Sequence, residues 1–407
     1  MNEILTVPLT VRLVAVFIFG AFAGAAANWA IYRLAWFARP ISPWSPPAPA
    51  APRRRWSDRL PILGWMGLRR ESFLHGRGFW LRPMLIEILM GGGLAALYWW
   101  ETVAPGLLPR GGLLPDAVLH AEFAVHALLI TLMLAASLID ADEMIIPDEI
   151  TVGGTLVALL LAAAWPQSLL PNPIAGPGFL ELSSPDAWPD WLAGGRVGAL
   201  AIGLGCWWLW CVAIMPRSWY PRHGWLRAVR LCCARLTRER ATYRILRMAA
   251  FGSLAVLLVW YRAGTNWEGL LSALVGMAAG GGLIWLVRVI GAAALGREAM
   301  GFGDVTLMAM IGAFLGWQPC LVIFFLAPVA GLVVGLLRLL LLRDREIPYG
   351  PFLCLAALFV IVFWNAVWTW SQGIFAMGWL VPVVMLFCLL LMAVMLTVWR
   401  LLLSLLR

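Results

Sequence analysis

Residues 297–317, "REAMGFGDVTLMAMIGAFLGW", set one carboxyl group, Asp304, between a glycine-flanked turn and a long apolar run. A charge there is costly, and ionisable residues inside a membrane segment are functional candidates by default. A second acid cluster, "SLIDADEMIIPDEIT" (137–151), puts Asp140 directly after another apolar run, "HALLITLMLAASLI". Two carboxyl groups a few ångströms apart cannot both ionise easily, so one keeps a proton. The ionised member can draw a proton from water while its partner protonates a carbonyl oxygen, which is general acid–base attack on a peptide bond. Such a pair titrates as a unit, so the acid and base roles belong to the pair.

The flanking residues support either chemistry or helix geometry. Gly301 and Gly303 permit backbone angles and close approaches closed to other residues, which suits an extended substrate lying beside Asp304. The structural alternative is an Asp304 that simply caps a helix. Pro147 sets up a helix start with Asp148 and Glu149 in its first turn, where acids complement unpaired N–H groups. Asp142 and Glu143 read as solvated loop acids.

Both aspartates need helices that end at one depth, and the composition supplies them. The chain has 407 residues, 62% hydrophobic and only 13% charged, with a mean hydropathy of +0.86. Soluble domains run at about half apolar and about a quarter charged, so this is an integral membrane protein. Apolar runs of spanning length recur at 11–37, 83–100, 120–139, 149–165, 195–215, 247–262, 269–290, 304–317, 319–341, 351–371 and 379–400. The first is too long for a signal-peptide core and is expected to be retained.

The net charge of +9 comes from arginine, since no lysine is present. The arginines cluster between apolar runs, at 38–82 and 216–247, whereas 166–193 carries only the acids Glu181, Asp186 and Asp190. Retention of basic loops in the cytoplasm explains this pattern better than nucleic-acid binding. The expected fold class is an all-α polytopic membrane protein of about eleven transmembrane helices, N-terminus out and C-terminus in. Arg343, Arg345, Arg400 and Arg407 then fall inside as well. On this map both aspartates lie at the cytoplasmic face. A transporter would hold its ionisable pair near the midplane.

Other residues point to packing. The seven cysteines form no CxxC pair, and the four histidines show no ligand spacing, so no metal site is expected. "GGGLAA" (91–96) and "GMAAGGGL" (276–283) suit close helix contact, with no nucleotide-binding pattern. Glu87 either faces the aspartate cleft or pairs with an arginine.

Taken together, these motifs resemble the bacterial type IV prepilin peptidases, intramembrane aspartic proteases of the GxGD class. The resemblance also rests on "FGAFAGAAANWAIYRL" (19–34), "RLPILGWMGLRR" (59–70), "HGRGFWLRPMLIEILMG" (75–91) and "IPYGPFLCLAAL" (347–358). It implies a catalytic pair, Asp140 and Asp304, supported by Gly301, Gly303, Asp148, Pro147 and Thr306. Glu87 and Arg82 would stand behind them. The implied substrates are prepilins or pseudopilins of type IV pili or type II secretion, cut at the cytoplasmic face of the bacterial inner membrane. Proteolysis implies no cofactor, and S-adenosylmethionine enters only if the family's N-methyltransferase activity is retained. No nucleic acid is implied, and the lipid bilayer is the other partner.

The resemblance divides the chain into a first span (1–37), a basic loop (38–82), spans carrying the first aspartate (83–165), an insertion with two spans (166–268), a GxGD core (269–371) and an added C-terminal span (372–407). Four departures stand out. The loop lacks the two CxxC pairs of bifunctional relatives, and Thr306 replaces a usual lysine. The insertion, with Cys232 and Cys233 in its Arg-rich loop, suits a surface helix on anionic lipid. The C-terminal span has no counterpart. A family-derived scaffold that binds pilins without cutting them is the competing reading.

Overall fold

The computed structural model describes residues 7–37, 41–47, 49–104, 106–108, 112–170, 178–179, 197–215, 239–296, 298, 300–341, 348–378 and 380–405. Cys232, Cys233, Arg297, Arg343, Arg345, Arg407 and the acids of 181–190 lie outside them. In chain order the long helices are α1 (Leu9–Leu34), α2 (Leu81–Thr102), α3 (Asp116–Glu143), α4 (Asp148–Ala164), α5 (Val197–Ala213), α6 (Arg240–Arg262), α7 (Thr265–Leu295), α8 (Phe302–Leu315), α9 (Trp317–Leu341), α10 (Gly350–Val362), α11 (Trp364–Phe375) and α12 (Leu380–Leu405).

Among the described residues, six helices are long and apolar enough to cross a membrane: α1, α2, α3, α6, α7 and α12. The expected span at 351–371 is instead two helices, α10 and α11, bent by 96°, and counting them as one brings the number to seven. The bend has a local cause: the Val362 carbonyl is taken by the Trp100 indole N–H at 2.7 Å. The expected spans at 149–165, 195–215, 304–317 and 319–341 fall on α4, α5, α8 and α9.

Helix α8 is the axis of the fold. It is buried from Asp304 to Leu315, as its uniformly apolar sequence requires, and α3, α4, α7, α9 and α10 surround it. Small residues let α7 come closest. A Cβ on Gly276 would sit 2.1 Å from the Gly312 carbonyl oxygen, and one on Gly280 would sit 2.6 Å from that of Met308. Such contact replaces the hydrophobic driving force that lipid does not supply. The insertion helix α5 packs on α6 and α7, outside this ring.

The loop between α1 and α2 is folded onto them. Glu87 of α2, 1% exposed, accepts hydrogen bonds from Trp65 Nε1 at 2.8 Å, Asn28 Nδ2 at 3.2 Å and the Ile62 N–H. Within the loop Arg54 pairs with Glu71, and Arg70 forks onto Asp58. Burial opposes ionisation of Asp58, but the Arg70 guanidinium and the Arg55 N–H outweigh it and hold the carboxyl below its ordinary 3.8. A carboxyl with a depressed native pKa stabilises above its unfolded value, and that contribution is lost as pH falls through the native value. Acidification below pH 3.8 is therefore expected to loosen this loop. Asp58→Asn reproduces the uncharged state at neutral pH, and trypsin cleavage at Arg59 and Arg69 should accelerate by about tenfold, in keeping with a lost charged hydrogen bond. An unchanged cleavage rate would contradict the assignment.

Candidate active site

Asp140 lies in the last turn of α3. The helix stops three residues on because Met144 turns left-handed at φ +54°, its N–H closing on the Asp140 carbonyl at 2.8 Å. The chain then runs through Ile146 to Pro147, which caps α4, with Asp148 and Glu149 in that helix's first turn. Asp304 is the third residue of α8, and Gly301 is its N-cap. The Asp304 carboxyl turns back over Gly301, where a Cβ would stand 3.7 Å from its Oδ2. Asp304 thus sits inside the helix start and does not itself cap it.

Asp304 and Asp140 lie within electrostatic reach of each other and are only 7% and 5% exposed. Asp140 Oδ2 accepts the Gly350 N–H at 3.1 Å, across 210 residues of sequence. Gly350 is required there by space, since a Cβ would fall 2.6 Å from that oxygen. Ile146 is the wedge that joins the motifs. A Cβ on Gly303 would lie 2.9 Å from the Ile146 Cβ, and one on Gly350 would lie 3.0 Å from its Cδ1. Gly303 and Gly350 therefore let three distant segments converge on one isoleucine.

Thr306 faces α4: Thr151 Oγ1 donates to Thr306 Oγ1 at 3.0 Å, and Thr306 Oγ1 donates to the Gly303 carbonyl at 3.0 Å. At 2% exposure, it ties the GxGD turn to α4 and brings no charge. Arg82 pairs with Asp142 at 2.7 Å, two residues beyond Asp140. Glu143 accepts the N–H groups of Trp36 and Phe37 at 2.6 and 3.3 Å. These two acids, expected to be free in solvent, anchor the first loop to the end of α3. Glu87 has Asn28, Ile62 and Trp65 as partners; it faces the loop, and none of these partners belongs to the aspartate site.

Two residues escaped sequence reasoning. Gly350 is one, and its only sequence signal is the Tyr-Gly-Pro turn. The other is Tyr349, whose phenol is held up at about 12 by burial and then by the nearby Asp304 charge. It remains a hydrogen-bond donor beside the pair.

Residues 241–336, with Asp304 inside them and Asp140 outside, match the type IV leader peptidase family. Over this stretch the chain is similar to the type IV leader peptidases. The match begins in α6, ahead of residue 269, where the sequence suggested the core starts. The prepilin leader peptidase/N-methyltransferase of Aeromonas salmonicida (strain A449) is 32% identical over 102 residues, 24% of this chain and 35% of that protein. The Stutzerimonas stutzeri protein of that name is 34% identical over 124 residues, 28% of this chain and 41% of its own length. The one from Legionella pneumophila is 35% identical over 80 residues, 19% and 28%. The chain thus spans roughly a third of the curated leader peptidases it matches (35% of the Aeromonas protein). No solved structure matches it.

Gly350→Ala tests this geometry. The added methyl displaces the Asp140 carboxyl while leaving α8 intact. Any reaction that the Asp140 carboxyl serves is expected to slow by about tenfold or more, as misplacing a reacting group does. A parent-like rate in a folded variant would show that the Gly350 contact is irrelevant.

Proposed function

We propose that this protein is a prepilin or pseudopilin leader peptidase that uses Asp140 and Asp304 as one aspartic dyad. The observation that carries the reading is the convergence of two buried carboxyl groups from separate motifs, 5% and 7% exposed and within electrostatic reach of each other. A water held between them loses a proton to the ionised carboxyl as its oxygen attacks the scissile carbonyl. The protonated carboxyl gives its proton to the carbonyl oxygen, forming a tetrahedral diol. As that diol collapses the C–N bond breaks, the leaving amine takes the proton held by one carboxyl and a diol hydroxyl returns a proton to the other, which restores the singly protonated dyad.

Two further features support a substrate with a basic leader followed by an apolar helix. The leader would remain in the cytoplasm by the same charge rule that orders the arginine loops, presenting the bond at the depth of the dyad. Beside the start of α8 lies an apolar cavity of about 400 Å3, bordered by Phe302, Val305, Thr306, Trp210 and Met277. Its lining includes Val305, the residue after Asp304, and not Asp304 itself.

The metal implied by CxxC-bearing relatives does not fit. The loop at 38–82 has no cysteine, and among the described residues no group of three His, Cys, Asp or Glu could hold an ion. The ion pairs of Asp58 and Glu71 do the stapling there instead. Methyl transfer from S-adenosylmethionine is a separate reaction, and no step of the hydrolysis draws on it.

Co-expression with a prepilin from the same genome tests the proposal by the gel shift of leader removal. The parent should cut, and Asp140→Asn and Asp304→Asn should each lose about 10²–10⁴ in rate. Cutting that survives both substitutions would reject the dyad. A well-inserted parent that cuts no prepilin would instead support the scaffold reading.

A further inference from the structure

We propose that Arg288 is a positioning residue for Asp304, acting through the peptide unit between Met300 and Gly301. Arg288 lies on α7, sixteen positions before the aspartate, in a stretch that shows no catalytic motif. Its Nε donates to the Met300 carbonyl at 3.1 Å. Its second arm reaches Glu298 Oε1, also at 3.1 Å. The guanidinium carbon stands 5.7 Å from the centroid of the Phe302 ring, the variable residue of the GxGD motif. One side chain therefore touches three residues of the turn that delivers Asp304.

The Met300 carbonyl and the Gly301 N–H belong to one planar peptide, so fixing the direction of one fixes the other. The Asp304 carboxyl lies over that peptide, since a Cβ on Gly301 would stand 3.7 Å from its Oδ2. Arg288 thus grips one end of a rigid plate whose other end packs against the aspartate. The turn needs such a grip, because Gly296 (φ +70°), Gly301 and Gly303 leave its backbone loosely determined.

Arginine suits the task better than lysine. Its planar fork serves a carbonyl and a carboxylate together and can still lie over an aromatic ring. The Glu298 side chain is 70% exposed, so that ion pair contributes little energy. Its role is to orient the fork toward Met300. Arg288 acts on the backbone that carries Asp304, and substrate need not touch it.

The inference rests on the hydrolytic reading, and its test separates the two. Purified parent, Arg288→Ala and Arg288→Lys are compared for kcat and KM on a prepilin, with Asp304→Asn as the blank. Amide hydrogen exchange over 298–304 is followed by mass spectrometry in the same detergent. Arg288→Ala is expected to lower kcat by about ten- to a hundredfold with KM within about twofold, the pattern of a misplaced reacting group. Arg288→Lys should recover part of kcat, and exchange at Gly301 to Asp304 should quicken in the alanine variant. Parent-like kcat in Arg288→Ala, or exchange identical to the parent, overturns the proposal. If Arg288→Ala does not fold, Arg288→Lys decides alone, and full parent kcat in that variant overturns it. A parent that cuts nothing refutes the hydrolytic reading, while the exchange measurement still judges the grip on the turn.

Discussion

A carboxyl group withdrawn from water must be protonated or supplied with donors, and two such groups in one pocket sharpen the demand. Here a glycine backbone lies against each aspartate: the Gly350 N–H donates to Asp140, and the Asp304 carboxyl lies over Gly301, where a Cβ would stand 3.7 Å from its Oδ2. A backbone donor carries no charge of its own, so it orients a carboxyl without forcing both members of the pair to ionise. Thr306 likewise brings no charge to the pocket. The threonine is spent on holding the turn against α4.

The rest of the fold makes those two contacts possible. Helix α8 has to be buried on every side to bring Asp304 inward, and the glycine contacts with α7 set its depth. Ile146 spaces the end of α3 from the starts of α8 and α10. The first loop, stapled by Asp58 to Arg70 and by Glu71 to Arg54, is tied to the Asp140 end of α3 by Arg82 and Glu143. Ion pairs thus hold a loop that contains no cysteine. The insertion helix α5 packs at the outside of α7 and leaves the aspartate contacts untouched.

Sequence alone made the helical class, the membrane character and the two aspartate motifs legible, because hydropathy and a carboxyl in an apolar run are local signals. Contacts between distant segments were not legible. Nothing in "IPYGPF" says that the Gly350 amide faces residue 140, and nothing around Glu87 distinguishes a cleft acid from a loop anchor with three donors. Asp142 and Glu143 look like solvent acids until Arg82 and the Trp36 and Phe37 amides are placed beside them. The uninterrupted apolar run at 351–371 hides its break, since the Trp100 indole that captures the Val362 carbonyl lies 262 residues away. Short apolar helices such as α8 also read as full spans when hydropathy is the only guide.

The central claim is that the carboxyl groups of Asp140 and Asp304 occupy one site in the folded protein within its membrane. The most direct measurement is a thiol crosslink in membranes, using Asp140→Cys with Asp304→Cys in a chain whose native cysteines are serine and which carries a protease site between residues 216 and 238. A short bis-maleimide should keep the two fragments joined on a denaturing gel after protease treatment, whereas either single variant should release them. Separation of the fragments in the double variant, with both thiols shown to be reactive, would contradict the account.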